Sequence, residues 1–276
     1  MTERWLDVDW EGQKRRALLQ GTASPGVPLI VALHGTGGTP RLMAKITGFT
    51  ARAPGLVLYP AALGEPGSED PAKGAAWNAG PGLGCPAFPD ADDAGFLRAL
   101  IARVRETRPV DPARIHLAGL SNGGRMAYRM ALEAADLLAS VAVIAGAWDG
   151  SGPKPSGSVP TLIFHGREDQ HIPYEGGLGA KGRRVAHRSA PETAFAWAQL
   201  MGCAPKVQRT MSGAHHLDLA RGAEGIEVGL WTVQGQGHAW PGGRAWSPTA
   251  DSPARDLDAT ALILDFFARH RSRRRG

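Results

Sequence analysis

Three residues of this 276-residue chain stand in settings that would let them act together: Ser121, Asp169 and His238. Ser121 lies in Gly119-Leu120-Ser121-Asn122-Gly123, a G-x-S-x-G pattern. The pattern suits a sharp strand-to-helix turn. It holds the serine hydroxyl exposed at the end of a sheet, and the flanking glycines leave room for a strained backbone. A bare match is modest evidence, since a plain turn with a surface serine fits it too. The context strengthens it. Ile115–Ala118 reads as a strand and Asn122 onward as a helix, whose N-terminus brings partial positive charge to the serine.

A serine hydroxyl is a weak nucleophile and needs a base. Nine histidines are available. His238, in Gly235-Gln-Gly-His238-Ala-Trp240-Pro241-Gly242, sits in a loop beyond the last apolar strand, where a base belongs. The base in turn needs an acid to orient it and stabilise its cation. Asp169 follows the strand Thr161–Phe164, in His165-Gly166-Arg167-Glu168-Asp169-Gln170-His171-Ile172-Pro173. It lies between Ser121 and His238, in the chain order serine, acid, histidine that such scaffolds use. Glu168 is its natural rival, and His171 is expected to line the site or pack locally. His215 and His216 with Asp218 raise the thought of a metal site. Adjacent side chains diverge, however, so a solvated surface is expected there and no metal. The fourth piece is Leu33-His34-Gly35-Thr36-Gly37-Gly38, a glycine-rich loop after a strand. It would supply the Thr36 backbone N–H, with that of Asn122, to hold an oxyanion. A phosphate cradle is the rival reading, but the loop lacks both a Gly-Lys-Ser/Thr ending and the dinucleotide spacing.

Positioning these groups requires strands that alternate with helices. Apolar runs bounded by turn residues read as strands at Leu29–Leu33, Leu56–Tyr59, Ile115–Ala118, Val141–Ala145, Thr161–Phe164 and Val228–Val233. Trp5–Trp10 and Arg16–Leu19 look like a leading pair. Helices are expected over Asp92–Arg105, capped by Asp92 or Asp93, and over Asn122–Ala135, Glu192–Met201 and Leu257–Arg269. The alternation implies a mostly parallel central sheet flanked by helices. No repeat or linker divides the chain, so one domain over residues 1–276 is expected, with a basic tail at about 269–276. The stretch Gly64–Pro89 is rich in Gly and Pro, and a loop so long is expected to be functional and to lie over one end of the sheet.

Composition narrows the partners. The net charge of +5 comes largely from Arg269, Arg271, Arg273, Arg274 and Arg275. Without interleaved aromatics these read as a frayed, solvated tail and not as a nucleic-acid site. No apolar run reaches about 18 residues, so no membrane span is expected. The start, Met1-Thr2-Glu3-Arg4-Trp5, has no basic-then-apolar leader, so the chain as written reads as cytoplasmic, or as secreted if a leader was trimmed. Cys85 and Cys203 share no metal-ligand spacing and are expected to be free thiols.

With these pieces placed, the chain resembles the polyhydroxybutyrate-depolymerase and feruloyl-esterase (LpqC-like) branch of the α/β-hydrolases. The resemblance spans roughly Pro28 to Gly243. It rests on Leu33–Thr39, Asp92–Leu97, Gly119–Gly124 with Met126, His165-Gly166 through Asp169 and Pro173, and Gly237–Gly242. It implies the α/β-hydrolase fold, with Ser121 as nucleophile, Asp169 as acid and His238 as base. It also implies hydrolysis of carboxylic esters, polyester or hydroxycinnamoyl, without a cofactor. Two departures stand out: many members are exported, and many carry a further cysteine downstream of the position of Cys203.

The chemistry so implied is acyl transfer through an acyl-enzyme. Trp240, Trp77 and Trp148, together with His34, are expected to form the walls that meet a small or polymeric ester. No insertion is long enough for a large lid domain, so an open cleft is expected. The alternatives are a prolyl-oligopeptidase-type peptidase, an acetyl esterase on carbohydrates, or a catalytically silent binding module. The oligomeric state is not readable.

Overall fold

A computed structural model describes residues 3–70, 72–181 and 185–272 of the chain. Its centre is a ten-stranded sheet. Strands β3 (Val27–Leu33), β4 (Leu56–Pro60), β5 (Val110–Leu120), β6 (Ser140–Ile144), β7 (Thr161–Gly166) and β12 (Glu227–Val233) run parallel, in the spatial order β4-β3-β5-β6-β7-β12. The hairpin of β1 (Arg4–Trp10) and β2 (Gln13–Gly21) adds antiparallel beside β4. A second hairpin, β10 (Cys203–Ser212) with β11 (His215–Gly222), extends the other edge antiparallel beside β12. A separate two-residue pairing joins β8 (Gly177–Leu178) to β9 (Ala186–His187).

The parallel strands read as apolar runs because both faces are covered. Every residue of β3, β4, β6, β7 and β12 is buried, as helices on both sides of a parallel sheet require. Side chains alternate between two cores. Leu29, Val31 and Leu33 pack with α3 (Asp93–Thr107), α4 (Asn122–Glu133) and α5 (Ala190–Leu200), whereas Ile30 and Ala32 pack with α1 (Pro40–Thr47), α2 (Phe49–Arg52) and α6 (Ala259–Arg269). Each fully buried Leu or Ile contributes about 1.5–3 kcal/mol.

Local chemistry sets where the helices begin. The Asp92 carboxylate, not that of Asp93, accepts the Gly95 N–H at 2.8 Å. Ser189 and Glu192 form a reciprocal capping box on α5, and Asp258 accepts the Ala261 N–H on α6 at 3.0 Å. Each such cap is worth about 1 kcal/mol. The buried Asp93 instead pairs with Arg15 at 2.6 Å and accepts the Asn78 N–H, so it ties the long loop to β2.

Three sequence expectations need correction. Helix α1 lies unforeseen between the oxyanion-type loop and Gly48. Its signals are the Thr39 cap, Pro40 at its first position and Gly48 at φ 62° after its end. The β10–β11 hairpin was also missed. All of β10 beyond Cys203 is exposed, so it carries no buried alternation and its place comes from pairing with β11. His215 is therefore not solvated surface: it is buried, its Nδ1 accepts the Gln234 N–H at 3.2 Å, and its Nε2 lies 3.1 Å from Asp256. His216, half-buried, lies 3.7 Å from Asp218.

The basic tail is in part held down, too. Arg269 pairs with Glu227 at 2.7 Å and Arg271 with Asp111 at 2.8 Å; Arg273, Arg274 and Arg275 lie outside the described residues. Cys85 and Cys203 are both buried free thiols. Among the described residues, no helix is long and apolar enough to cross a membrane, and no cluster of three or more His, Cys, Asp or Glu could hold a metal.

Candidate active site

Ser121 stands between β5 and α4 with φ 57° and ψ −117°, a conformation that L-residues rarely adopt. Two glycines make the turn feasible. A Cβ on Gly119 would collide with the Gly123 carbonyl, and one on Gly123 would run into the Leu33 carbonyl of the neighbouring strand. The turn therefore packs directly on β3, and the half-buried Ser121 borders a cleft of about 360 Å³.

His238 borders the same cleft. Its Nδ1 lies 2.7 Å from Asp169 Oδ2, across 69 residues of chain. Its backbone N–H donates to Asp251 at 2.7 Å. The adjoining Gln236 side chain is buried. It donates to the Ala239 carbonyl at 3.0 Å and accepts the Ala254 N–H at 2.6 Å. The loop that carries the imidazole is thus pinned on both sides.

Asp169 is buried, and its other oxygen accepts the backbone N–H groups of His171 at 2.8 Å and Ile172 at 2.9 Å. Burial alone would raise its pKa. The His238 hydrogen bond and charge outweigh this and, with His165 and the Ile172 N–H, hold it below the usual carboxylate range. Glu168, the rival acid, is exposed. His171 stacks on His238 with ring centroids 4.6 Å apart. Burial, then the neighbouring His238, push the His171 pKa down, and the ring borders the cleft beside His238. Among the described residues no hydrogen bond joins Ser121 Oγ to His238; such contacts are often long before substrate binds.

The glycine-rich loop after β3 also reaches the cleft. Thr36 is exposed there, and Asn122 opens α4, so its N–H has no carbonyl one turn back to bond within the helix. The Asn122 side chain does further work. Its Oδ1 accepts the Trp77 N–H at 2.7 Å, and its Nδ2 donates to the carbonyls of Trp77 at 3.0 Å and Leu83 at 3.2 Å. This clamps the Gly64–Pro89 stretch over the end of the sheet. His34 borders the cleft with Nδ1 bonded to the Gly35 carbonyl at 2.8 Å and Nε2 accepting the Ala62 N–H at 3.1 Å. That arrangement needs the neutral ring, and burial takes its pKa down to about 4.

Of the three tryptophans expected to line the cleft, one does. Trp240 forms a wall, its Nε1 held by Thr260 at 2.9 Å and its ring edge-on to Phe49. Trp77 is fully buried behind the glycine-rich loop, where its indole N–H donates to the His34 carbonyl at 2.9 Å. Trp148 lies on a different groove, against Trp197. In both cases packing against the core took the aromatic surface. The cleft draws instead on residues that sequence reasoning did not single out. Leu42, Met43 and Ile46 of α1 and the half-exposed Trp246 add apolar lining; Arg125, three residues after Asn122, His187 and the exposed Arg244 add polar lining. The helix signals around Thr39 and Gly48 would have found α1, but no local pattern predicts Arg125 beside His187.

No protein-family model matches the chain. It is 31% identical over 274 residues to "Putative esterase NocK" of Nocardia uniformis subsp. tsuyamanensis, covering 89% of this chain and 77% of that protein. It is 33% identical over 180 residues to "Feruloyl esterase B" of Piromyces equi, covering 63% of this chain and 32% of that one. The chain thus spans about a third of the length of the feruloyl esterase it matches. Among solved structures, acetyl xylan esterase from Aspergillus awamori superposes with a TM-score of 0.59 at 15% identity, covering 86% of this chain and 94% of that one. At that identity the likeness speaks to fold alone. The chain belongs to the esterases of the α/β-hydrolase fold.

Proposed function

We propose that the protein is a serine carboxylic-ester hydrolase working through an acyl-enzyme, with Ser121 as nucleophile, His238 as base and Asp169 as acid. The observation that carries this reading is the 2.7 Å Asp169–His238 pair on the cleft that Ser121 borders from its strained turn. His238 takes the Ser121 proton as the oxygen attacks the ester carbonyl. The Thr36 and Asn122 N–H groups receive the oxyanion, His238 returns the proton to the departing alcohol, and water repeats the sequence on the acyl-enzyme. Asp169 stays ionised throughout and stabilises the imidazolium.

For the substrate class we favour hydroxycinnamoyl or other aryl esters and short polyester segments. The apolar lining of the cleft, with Trp240, Trp246 and Met43, would bury a ring or an alkyl chain. The feruloyl esterase relative supports the first of these; acetylated carbohydrate is the second reading, favoured by the acetyl xylan esterase likeness only at the level of fold.

The test is labelling with a fluorophosphonate followed by peptide mapping, alongside turnover of p-nitrophenyl butyrate, methyl ferulate, an acetylated sugar and a polyhydroxybutyrate film. A single adduct on Ser121 with ester turnover is expected. An unlabelled Ser121 in folded protein would sink the reading.

A further inference from the structure

Arg125 is a charged side chain only 8% exposed, one turn along α4 from Ser121 and on the same cleft. Buried guanidinium groups are ordinarily neutralised by a carboxylate, because an uncompensated buried charge is costly. Among the described residues Arg125 has no carboxylate within 4.0 Å. Asp149 is the acid whose charge it feels, but that exposed carboxylate is turned to the N–H and hydroxyl of Ser151. The hydrogen-bond partner that the Arg125 side chain does have is His187, whose Nδ1 accepts from Nη2 at 3.0 Å. His187 brings no negative charge. Burial, then the Arg125 cation, take its pKa down to about 4, so the ring is neutral at ordinary pH. It orients the guanidinium by one nitrogen and leaves the remaining donors of the fork for something else. Leu83, Val185 and Ile172 border the same cleft, and a charge-assisted bond is stronger where apolar side chains displace water. The cleft is also bordered by α1, by Trp246 and by the exposed Arg244.

We propose that Arg125, held by His187, is an anion subsite that selects esters bearing a free carboxylate a few atoms from the scissile bond, such as hemiesters of dicarboxylic acids or the carboxylate-ended oligomers of a hydroxyalkanoate. This rests on the serine-hydrolase reading above. Guanidinium and carboxylate meet through two parallel hydrogen bonds, a geometry that Lys cannot reproduce. The subsite therefore favours a terminal carboxylate over a neutral chain of the same length, and directs cleavage towards chain ends in a polyester.

The test compares kcat/KM for monomethyl glutarate against methyl pentanoate, and for the linear 3-hydroxybutyrate dimer against its methyl ester, in wild type, Arg125→Met and Arg125→Lys. The expected result is a preference of about tenfold or more for the carboxylate member of at least one pair in wild type. In Arg125→Met that ratio should fall by at least tenfold, mainly through KM, with part retained in Arg125→Lys. A wild type with no carboxylate preference in either pair would overturn the subsite. So would an Arg125→Met enzyme that is natively folded by circular dichroism and loses both members of a pair equally, since that marks Arg125 as a structural support of His187. Failure of every ester together with an unlabelled Ser121 would instead bring down the hydrolase reading, and the subsite with it.

Discussion

Ser121 keeps a backbone conformation that favours glycine, and its neighbours over-determine that conformation from both sides. Removing the hydroxyl should therefore cost turnover and little else: Ser121→Ala is expected to abolish ester hydrolysis and leave the thermal midpoint nearly unchanged. Ser121→Gly should be equally inactive yet more stable by about 1 kcal/mol, because φ 57° is strained for serine and open to glycine. A melt in which both variants collapse would identify the residue as structural. Asp169 makes a different demand. It accepts from His238 through one oxygen and from two backbone N–H groups through the other. Asp169→Asn can keep the shape but not the charge, and it lets the imidazole settle in the wrong tautomer. A fall in kcat of about 10³–10⁴-fold, with KM moving far less, is the expected outcome of steady-state assays.

At the scale of elements, the site is assembled where four strand ends of the parallel sheet come together. β5 leads to Ser121, β7 to the loop of Asp169, β12 to the loop of His238 and β3 to the glycine-rich loop, all at the same end of the parallel sheet. Ligands bind at the carboxyl ends of such strands for this topological reason. Among its described residues the long Gly64–Pro89 stretch has no helix or strand of its own, and side chains join backbone bonds such as Gly37 N–H to the Ala75 carbonyl in holding it. Asn122 supplies three of those bonds from the first position of α4. Asn122→Ala would strand the Trp77 N–H and two carbonyls, so a loss of about 2–4 kcal/mol is expected in urea unfolding. Limited proteolysis should then cut between residues 62 and 92 before any other segment. Equal stability and unchanged digestion would contradict the clamp.

For the molecule as a whole, acid is the weak point. His34 and His116 are buried against the core, and burial takes their pKa values down to about 4 and about 3. In the unfolded chain both would protonate below about pH 6.5. Between those limits the unfolded state binds more protons than the folded one. The stability they allow is complete above pH 6.5 and is lost as the pH falls towards 4. At about 1.4 kcal/mol per pH unit, His34 alone withdraws about 3 kcal/mol by pH 4. Asp169, whose pKa is depressed on folding, adds stability above about pH 4 that disappears below it. Thermal midpoints measured from pH 7.5 to 4 should fall steadily below 6.5, and His116→Gln should flatten part of that slope. A midpoint flat from pH 7.5 to 5 would refute this.

The sequence by itself determined the strand-turn-helix around Ser121, the placing of Asp169 and His238 in loops beyond later strands, and the parallel core strands. These are local matters: glycines where no Cβ fits, apolar runs of strand length, caps at helix starts. Tertiary structure decided what surrounds the chemistry. Trp77 and Trp148 were candidates for the cleft alongside Trp240, and only the packing of the core sorted them. The β10–β11 hairpin was hard to read because its outer strand beyond Cys203 is exposed and is held by pairing with β11. A five-residue pattern, Gly119–Gly123, marked Ser121. What the fold added is a neighbour one turn away, Arg125, whose meeting with His187 across 62 residues no spacing could announce.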